Sequence, residues 1–300
     1  APTLTWICSD PENDPLTYDI YLGTTNNPTT LVGPNLTTLS YSPSVLNAGT
    51  TYYWKVVVRD NHSNSTSGPV WSFTTAQNGT IPINGLVAFY PFNGNANDES
   101  GNGNNGTVNG ATLIADRKGN PNSAFSFNGT SNYITVQNST SLQLTTLASF
   151  NIWVLVPSGL SFDTRPAVGL HFFCKGATYG DKWANYSIQL TGQNGVIAFE
   201  LNSTTGGQYN GVSTTNPFGR DSWHMITVVY AGGQVKFYID GILTDTKTNS
   251  ITSLATSSLP LYIGVRYTSV YTGGFTGKLD DFRIYNRALT DQEISALYNE

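Results

Sequence analysis

The amino-acid sequence predicts an all-β protein built from two sandwich domains. Short runs of β-branched and aromatic residues recur along the 300 residues, and clusters of Gly, Asn, Pro and Ser separate them. Glycine-rich turns join neighbouring runs, as in β-hairpins. Only one stretch has the spacing of an amphipathic helix. With 39% hydrophobic residues, the chain has enough apolar side chains for real cores.

The strand candidates follow one another in short apolar runs. The clearest are Leu16–Leu22, Thr51–Arg59, Gly85–Phe92, Ser187–Leu190, Val196–Leu201, Met225–Tyr230, Val235–Ile239 and Leu261–Val265. Gly232 and Gly233 predict a turn between two of these runs. Asp240 and Gly241 suit a tight hairpin turn, because both central positions of that turn need a positive φ.

The helix candidate lies near the end of the sequence. Thr290 is followed three residues later by Glu293, which is the spacing of a capping box. Ile294, Leu297 and Tyr298 then recur at helical spacing. The pattern predicts a short helix that begins just after Thr290.

A domain boundary is expected where the strand-like run Val70–Thr75 gives way to a polar segment with Gly and Pro. This pattern predicts a small domain over residues 1–76, a linker over 77–84 and a large domain over 85–300.

The small domain carries several motifs in a fixed order. Leu4–Trp6 reads as a strand with a core tryptophan, and Leu46 precedes Tyr52 at the spacing of a tyrosine corner. The other matching segments are Ser9–Pro15, Leu16–Gly23, Gly49–Lys55 and Trp71–Thr75. On these residues the domain resembles a fibronectin type III module of bacterial surface and secreted proteins. The resemblance implies an immunoglobulin-like sandwich that serves as a spacer.

One departure from that family concerns the strand that should precede Trp6. Almost nothing precedes Thr3, so the first strand of the module is missing from the sequence. Either the sequence is a fragment of a longer array, or another segment fills the vacancy. An open edge would invite strand addition by a neighbouring module or an identical subunit.

The large domain has its own ordered set of motifs. They are Gly85–Phe92, Asp98–Gly106, Ala124–Val136, Phe150–Val154, Trp223–Tyr230, Val235–Gly241 and Gly277–Leu289. On these residues it resembles a laminin-G-like domain of the concanavalin A-like jelly-roll class. The resemblance implies a jelly-roll sandwich with a short C-terminal helix. Such folds host lectins, adhesion modules and some enzymes, so the fold alone does not decide the function.

The net charge, the hydropathy pattern and the positions of the acidic residues argue against several classes of function. The net charge of −5 argues against nucleic-acid binding, and no apolar run is long enough for a membrane span. Glycoside hydrolysis needs a pair of carboxylates. Glu200 is the only glutamate within a core-like strand, and no second acid accompanies it there. His171 and His224 are interpreted as structural residues. The sequence therefore predicts a protein that is not an enzyme and has no catalytic residues.

A calcium site is the first binding hypothesis. The loop 98–106 offers short oxygen-bearing side chains, and calcium prefers six to eight oxygen ligands. The resemblance implies that an aspartate on the closing strand helps to hold a structural calcium ion. In that strand the alternation of apolar and polar residues shifts by one position at Asp280 and Asp281, which suggests a bulge. The candidate ligands are Asp98, Ser100, Asn102, Asn105 and Asp280. The alternative is an Asn/Gly turn with an aspartate that accepts backbone amides.

A carbohydrate site is the second binding hypothesis. Sugars stack their C–H faces on aromatic rings and pair their hydroxyls with polar side chains. Several aromatic residues lie in Gly-rich connections, with polar residues beside them. The candidates are Tyr179, Asp181, Trp183, Tyr209, Asn210, Arg266, Tyr267 and Tyr271. The alternative is that these rings pack as lids on the ends of the sandwich.

Together these patterns predict a non-catalytic, secreted or cell-surface protein that binds a glycan or polysaccharide. A fibronectin-type spacer would present a laminin-G-like lectin domain with structural calcium, in attachment or adhesion. The alternative is a structural subunit of a surface filament or array, assembled by strand complementation through the open edge of the small domain.

Overall fold

The computed structural model describes residues 2–43, 46–47, 49–62, 64–75, 80–160, 170–176, 184–191, 195–203, 211–266 and 274–300. The chain divides into two compact units, Ala1–Gly79 and Thr80–Glu300. Each is built from β-sheets, which confirms the all-β prediction. In the described part of the chain, no helix is long and apolar enough to cross a membrane.

The small domain is an unequal sandwich. A two-stranded sheet pairs β1 with β4, and a larger sheet has the order β3-β2-β5-β6, with β7 also paired to β5. The strands are β1 (Leu4–Thr5), β2 (Thr17–Gly23), β3 (Leu31–Leu36), β4 (Ser40–Tyr41), β5 (Thr51–Arg59), β6 (Ser65–Ser67) and β7 (Trp71–Thr74).

The core of the small domain joins the two sheets. Trp6 packs against Ile20, Trp54 and Val56 in one buried cluster. The Tyr52 hydroxyl accepts a hydrogen bond from the Asn47 amide at 3.1 Å, as the tyrosine-corner spacing predicted. The fibronectin type III assignment itself stays a prediction.

The large domain is a sandwich of two broad antiparallel sheets. One has the order β10-β11-β22-β13-β18-β19-β20, with β8 also paired to β22, and the other has the order β17-β16-β15-β14-β21-β12-β9. The strands are β8 (Leu86–Tyr90), β9 (Gly106–Asn109), β10 (Thr112–Ile114), β11 (Ala124–Asn128), β12 (Tyr133–Val136), β13 (Leu147–Leu155), β14 (Leu170–Lys175), β15 (Tyr186–Thr191), β16 (Val196–Leu201), β17 (Val212–Ser213), β18 (Trp223–Ala231), β19 (Gln234–Ile239), β20 (Ile242–Thr248), β21 (Leu261–Ile263) and β22 (Thr276–Tyr285).

Aromatic rings fill the space between these two sheets. The Phe150 ring of β13 lies 5.2 Å from Phe173, 5.1 Å from Tyr186 and 5.6 Å from Phe199, measured between ring centroids. Those three residues belong to the facing sheet. Because successive side chains of a strand point to opposite faces, this packing also decides which residues face away from the core.

Two local predictions from the sequence are confirmed. Asp240 and Gly241 both have positive φ, at 52° and 77°, and they close the hairpin between β19 and β20. The parity slip in β22 is a bulge: the register with β13 shifts there, and Asp281 has a φ of 45°. The bulge leaves Asp280 almost completely buried.

The C-terminal helix α1 (Asp291–Tyr298) covers the outer face of the larger sheet. Its Ile294 and Leu297 pack with Trp153 and Met225 in a second buried cluster. The expected capping box is present: the Thr290 side chain accepts from the Glu293 amide, and the Glu293 carboxylate accepts from the Thr290 amide.

Replacing the helix cap tests how much this helix contributes to the large domain. Thr290→Ala removes the hydroxyl acceptor, so we expect the free energy of unfolding to fall by about 1 kcal/mol. Thr290→Ser keeps the hydroxyl and should change it by less than half as much. Urea unfolding followed by tryptophan fluorescence measures both. Equal losses in the two variants would show that the hydroxyl is not the stabilising group.

Candidate functional site

A polar side-chain cluster lies on the outer face of the seven-stranded sheet. In β15 and β16, Ile188 and Phe199 point into the core, so their neighbours point to the opposite face. That face carries charged and polar side chains that are nonetheless buried. The outer-face cluster consists of His171, Ser187, Gln189, Glu200 and Arg266.

Glu200 is the centre of the outer-face cluster. Its Oε2 accepts from the Ser187 hydroxyl at 2.9 Å, and its Oε1 accepts from the Gln189 amide nitrogen at 2.9 Å. Both donors come from β15, directly beside Glu200 in the sheet. Two neighbours on one strand thus fix both carboxylate oxygens.

Arg266 supplies the positive charge of the cluster. Its Nη1 donates to Glu200 Oε2 at 2.6 Å and lies 3.1 Å from His171 Nε2. Arg266 follows β21, whereas Glu200 lies on β16, and β14 and β15 run between those strands. The arginine side chain therefore extends across two strands of the outer face.

The electrostatics of the cluster keep Glu200 ionised. Burial by itself would raise the pKa of the carboxyl, but interaction with His171 and the charge of Arg266 lower that pKa to about 2. Arg266 is much the nearer partner, because His171 Nε2 lies 3.7 Å from Oε2, beyond normal hydrogen-bond length. The cluster therefore offers a fixed carboxylate–guanidinium pair rather than a proton donor at neutral pH.

Of the eight predicted carbohydrate-binding residues, only Arg266 belongs to the described part of the chain, and it is buried and ion-paired. The other seven lie outside the described residues: Tyr179, Asp181, Trp183, Tyr209, Asn210, Tyr267 and Tyr271. The strand register shows where their connections start. The last residues of β14 and β16 both pair with the first residue of β15, and segments 177–183 and 204–210 come after them in sequence. Segment 267–273 comes after β21, which ends at the opposite end of the sheet.

The sequence alone indicates no ligand role for Glu200 and a structural role for His171. The partner of Glu200 is a basic residue, Arg266, that lies far away in the sequence. The signal that could have identified the cluster is the alternation Ser187, Ile188, Gln189, in which polar residues interrupt a core strand.

The calcium candidates in the loop 98–105 are held by hydrogen bonds. Asp98 Oδ1 accepts from the amides of Phe89 and Ser100, and Oδ2 accepts from the Asn104 amide, each at 2.9 Å. The Asn105 side-chain oxygen accepts from the Asp98 amide. Carboxylate and carboxamide oxygens of this loop are thus occupied by backbone donors.

The remaining loop side chains act as donors to the chain. Ser100 donates its hydroxyl to the Val87 carbonyl oxygen, and the Asn102 side-chain amide donates to the carbonyl oxygens of Leu86 and Val87. This network fastens the loop to β8. The loop therefore matches the alternative to a calcium site, in which an Asn/Gly turn surrounds an aspartate that accepts hydrogen bonds from backbone amides.

Asp280 has a protein cation as its partner. Arg117 Nη1 donates to Asp280 Oδ2 at 2.9 Å and also contacts Asp281, and its guanidinium lies 4.5 Å from the centre of the Trp153 ring. Burial and the neighbouring Asp281 raise the pKa of Asp280 to about 7, even though Arg117 opposes that rise. The expected buried carboxylate is present, but a guanidinium compensates it.

These residues do not fit a calcium site as a set. The oxygens of Asp98 and Asn105 accept amide hydrogens, and Asp280 is paired with Arg117. Among the described residues, no group of three or more His, Cys, Asp or Glu side chains is arranged to hold a metal ion. Calcium bound by this loop stays a prediction.

A further hydrogen-bonded chain links Ser222, His224 and Asp240. Ser222 Oγ lies 2.8 Å from His224 Nε2, and His224 Nδ1 lies 2.7 Å from Asp240 Oδ2. Asp240 Oδ1 also accepts from the Met225 amide. Because Asp240 begins the β19–β20 turn, we interpret the chain as a fastening of that turn to β18.

Comparison with known families gives a match over most of the large domain. The model of the Laminin_G_3 family, described as the concanavalin A-like lectin/glucanases superfamily, matches residues 128–295. One curated relative, the adhesion G-protein coupled receptor V1 of Danio rerio, is 25% identical over 152 residues. That match covers 49% of this chain but 2% of the receptor, so the chain spans a small part of its relative.

Solved structures resemble the chain in fold. The binding domain of Paraclostridial Mosquitocidal Protein 1 has a TM-score of 0.57 at 20% identity, over 72% of this chain and 52% of that one. Domain 4 of a GH43 extracellular arabinanase from Geobacillus stearothermophilus, in complex with arabinotriose, has a TM-score of 0.55 at 23% identity, over 71% and 98%. The botulinum neurotoxin serotype G binding domain has a TM-score of 0.55 at 18% identity, over 71% and 50%.

The ion pair of the outer-face cluster can be tested by a double-mutant cycle. Glu200→Gln and Arg266→Met each remove one charge of a buried ion pair, so each should lower the free energy of unfolding by about 3 kcal/mol. The double variant should lose less than the sum of the two. Urea unfolding of the full chain measures all three.

A matched control for that cycle is Lys247→Met, which removes the more exposed pair between Lys247 and Asp245. We expect this variant to lose at most about 1 kcal/mol. Strictly additive losses at Glu200 and Arg266 would contradict direct coupling between the two side chains.

Metal removal tests the calcium prediction against the hydrogen-bonded loop. Because backbone amides already satisfy Asp98, we expect excess EDTA to change the melting temperature of the full chain by no more than about 1 °C. A fall of several degrees, reversed by added calcium chloride, would instead show that a bound ion stabilises the folded state. Elemental analysis of the purified chain provides the independent check.

Proposed function

Because the chain belongs to the Laminin_G_3 family of the concanavalin A-like lectin/glucanases superfamily, we propose that its large domain binds glycans without cleaving them. The small domain serves as a spacer in this proposal. The protein acts outside the cell, in attachment or in targeting of a larger assembly.

The observation that carries the proposal is the outer-face cluster. Glu200 and Arg266 form an almost completely buried carboxylate–guanidinium pair on the sheet face that points away from the core. Ser187 and Gln189 hold the carboxylate in one position. Because these groups are buried, their role in the proposal is to hold rigid the strands from which the candidate connections start, and a preorganised site loses little conformational entropy on binding.

The similar structures support the same ligand class. The arabinanase domain was solved with arabinotriose, and a botulinum neurotoxin DC binding domain, with a TM-score of 0.54 at 16% identity, was solved in complex with SialylT. The connections 177–183, 204–210 and 267–273 hold the predicted aromatic residues. The first two join strands of the sheet that carries the outer-face cluster, and the third joins β21 of that sheet to β22 of the other sheet.

The absence of catalysis is proposed from the chemistry of Glu200. Glycoside hydrolysis needs two carboxyl groups about 5–10 Å apart, and one of them usually has to donate a proton. Glu200 is held in its charged form by a pKa near 2 and by its pairing with Arg266. Such a carboxylate is not suited to protonating a leaving group.

Glycan binding in this proposal does not require a calcium ion in the loop 98–106, whose Asp98 and Asn105 oxygens accept backbone amides. The alternative function, a subunit of a surface filament, predicts a different oligomeric state. A lectin of this kind should be monomeric and bind sugars, whereas a filament subunit should assemble.

A glycan array on the purified full chain tests the proposed function. We expect selective binding to a limited set of glycans. Trp183→Ala and Tyr271→Ala should each weaken binding about tenfold, which corresponds to about 1.4 kcal/mol of lost stacking. Tyr53→Ala, in the small domain, is the matched control and should leave binding unchanged.

Light scattering on the same samples separates the two functions. A monomer that binds glycans supports the lectin proposal. A chain that binds no glycan and forms higher-order assemblies would favour the structural subunit.

A further inference from the structure

A pocket of about 180 Å³ lies at one edge of the large domain, between its two sheets. Within the described residues, β17 is the outermost strand of one sheet and β20 is the outermost strand of the other. Residues of both sheets and of the segment 214–219 line the pocket. We refer to this cavity as the edge pocket.

The segment 214–219 forms one wall of the edge pocket. β17 has only two residues and pairs with part of β16, so this segment continues along the same strand. The Thr214 amide donates to the Ile197 carbonyl oxygen at 2.9 Å, and the Phe218 amide donates to the Gly195 carbonyl oxygen at 2.9 Å. Main-chain hydrogen bonds therefore hold this wall in place.

The opposite wall belongs to β20 and is tied to the first. Asp245 Oδ1 accepts from the Thr215 hydroxyl at 2.7 Å, and Oδ2 accepts from the Thr215 amide at 3.2 Å. Lys247 Nζ lies 3.0 Å from Asp245 Oδ1. The edge pocket is thus preformed, and a preformed site loses little conformational entropy when a ligand binds.

The lining of the edge pocket combines apolar surface with polar oxygens. Ile197, Phe218 and Ile239 supply apolar surface, and all three belong to the core between the sheets or pack against it. Thr244 and Asp245 supply oxygens. The C–H groups of a sugar ring suit the first set of residues, and its hydroxyls suit the second.

Thr244 and Asp245 can each accept a further hydrogen bond. The Thr244 hydroxyl donates its one hydrogen to the Phe237 carbonyl oxygen at 3.1 Å, which leaves its lone pairs to accept. A carboxylate has about four acceptor positions, and Thr215 and Lys247 use three of those on Asp245. A ligand that bonds these two oxygen-bearing side chains must therefore bring donors.

Charge narrows the ligand further. Burial by itself would raise the pKa of Asp245, but hydrogen bonds from Thr215 and Lys247 lower that pKa below its usual value. The carboxyl is therefore charged at neutral pH, and it would repel an anionic ligand. Lys247 already compensates that charge, so a cationic ligand gains little from it. A neutral ligand with hydroxyl donors fits best.

We propose that the edge pocket binds one neutral sugar residue at the end of a glycan. Its volume is below the about 300–1,000 Å³ of typical small-molecule sites, so it has room for a single ring and not for a chain. The inference rests on the proposed glycan-binding function. It adds a site that contains none of the eight carbohydrate-binding candidates from the sequence.

Ligand-observed NMR on the full chain tests the proposal. Saturation-transfer difference spectra are recorded with glucose, galactose and mannose, and with the uronate and the amino sugar of each as charged controls. We expect at least one neutral sugar to bind with a dissociation constant of about 1 mM, as suits a small ligand with few contacts. Its charged analogues should bind at least fivefold more weakly.

A matched pair of variants at Thr244 locates the sugar. Thr244→Val removes the hydroxyl acceptor at nearly constant shape, so binding should weaken about fivefold, the effect of one hydrogen bond. Thr244→Ser keeps the hydroxyl and should bind within twofold of the native chain. Thermal melts followed by circular dichroism check that both variants fold.

The apolar lining supplies a second readout. In a chain with ¹³C-labelled isoleucine methyl groups, the signals that disappear in Ile197→Val and Ile239→Val should shift when the sugar is added. The signal of Ile20, in the core of the small domain, is the internal control and should not move.

Variants in the predicted aromatic connections separate this proposal from the proposed function. Trp183→Ala and Tyr271→Ala should leave monosaccharide binding within twofold of native. If they weaken it and Thr244→Val does not, the sugar binds at those connections. That result would overturn the edge pocket and leave the proposed function standing.

Two further results would overturn the proposal. One is that no neutral monosaccharide binds at concentrations well above millimolar, in which case a positive glycan array would still support the proposed function. The other is that a sugar binds while the signals of Ile197 and Ile239 stay in place, because the sugar then lies outside the edge pocket.

Discussion

The packing of Phe150 against three rings of the facing sheet holds the large domain together. Phe173, Tyr186 and Phe199 come from three adjacent strands, β14, β15 and β16, and all touch this one ring from β13. Once those rings point inward, the pleat forces Ser187, Gln189 and Glu200 to the other side. The position of the outer-face cluster is thus a consequence of core packing.

Among the described residues of the large domain, the two most buried carboxylates are paired with arginine. Asp280 pairs with Arg117 on the outer face of one sheet, and Glu200 pairs with Arg266 on the outer face of the other. In both pairs the two residues lie far apart in sequence. In a chain with only 14 basic residues, two arginines are thus placed where a carboxylate would otherwise be buried unpaired. For Asp280 this pairing takes the role that the sequence suggested for a metal ion.

Local patterns predicted the elements well, because their causes are local. The strand Thr51–Arg59, the capping box at Thr290 and the bulge at Asp281 all follow from neighbouring residues. Contacts across the sheets were not predictable in the same way. Nothing near Asp280 or Glu200 in sequence indicates Arg117 or Arg266, since only the completed sheet order brings them together.

The strand order also has a consequence for folding. Within the described residues β8 pairs only with β22, so Phe89 finds Arg283 as its neighbour near the far end of the chain. Pairings between residues so distant in sequence close large loops and make folding slow. A nascent large domain therefore cannot complete its sheet until nearly all of its residues have been synthesised. The small domain, by contrast, precedes the large one and finds all its strand partners within its own residues, so it can fold while the large domain is still incomplete.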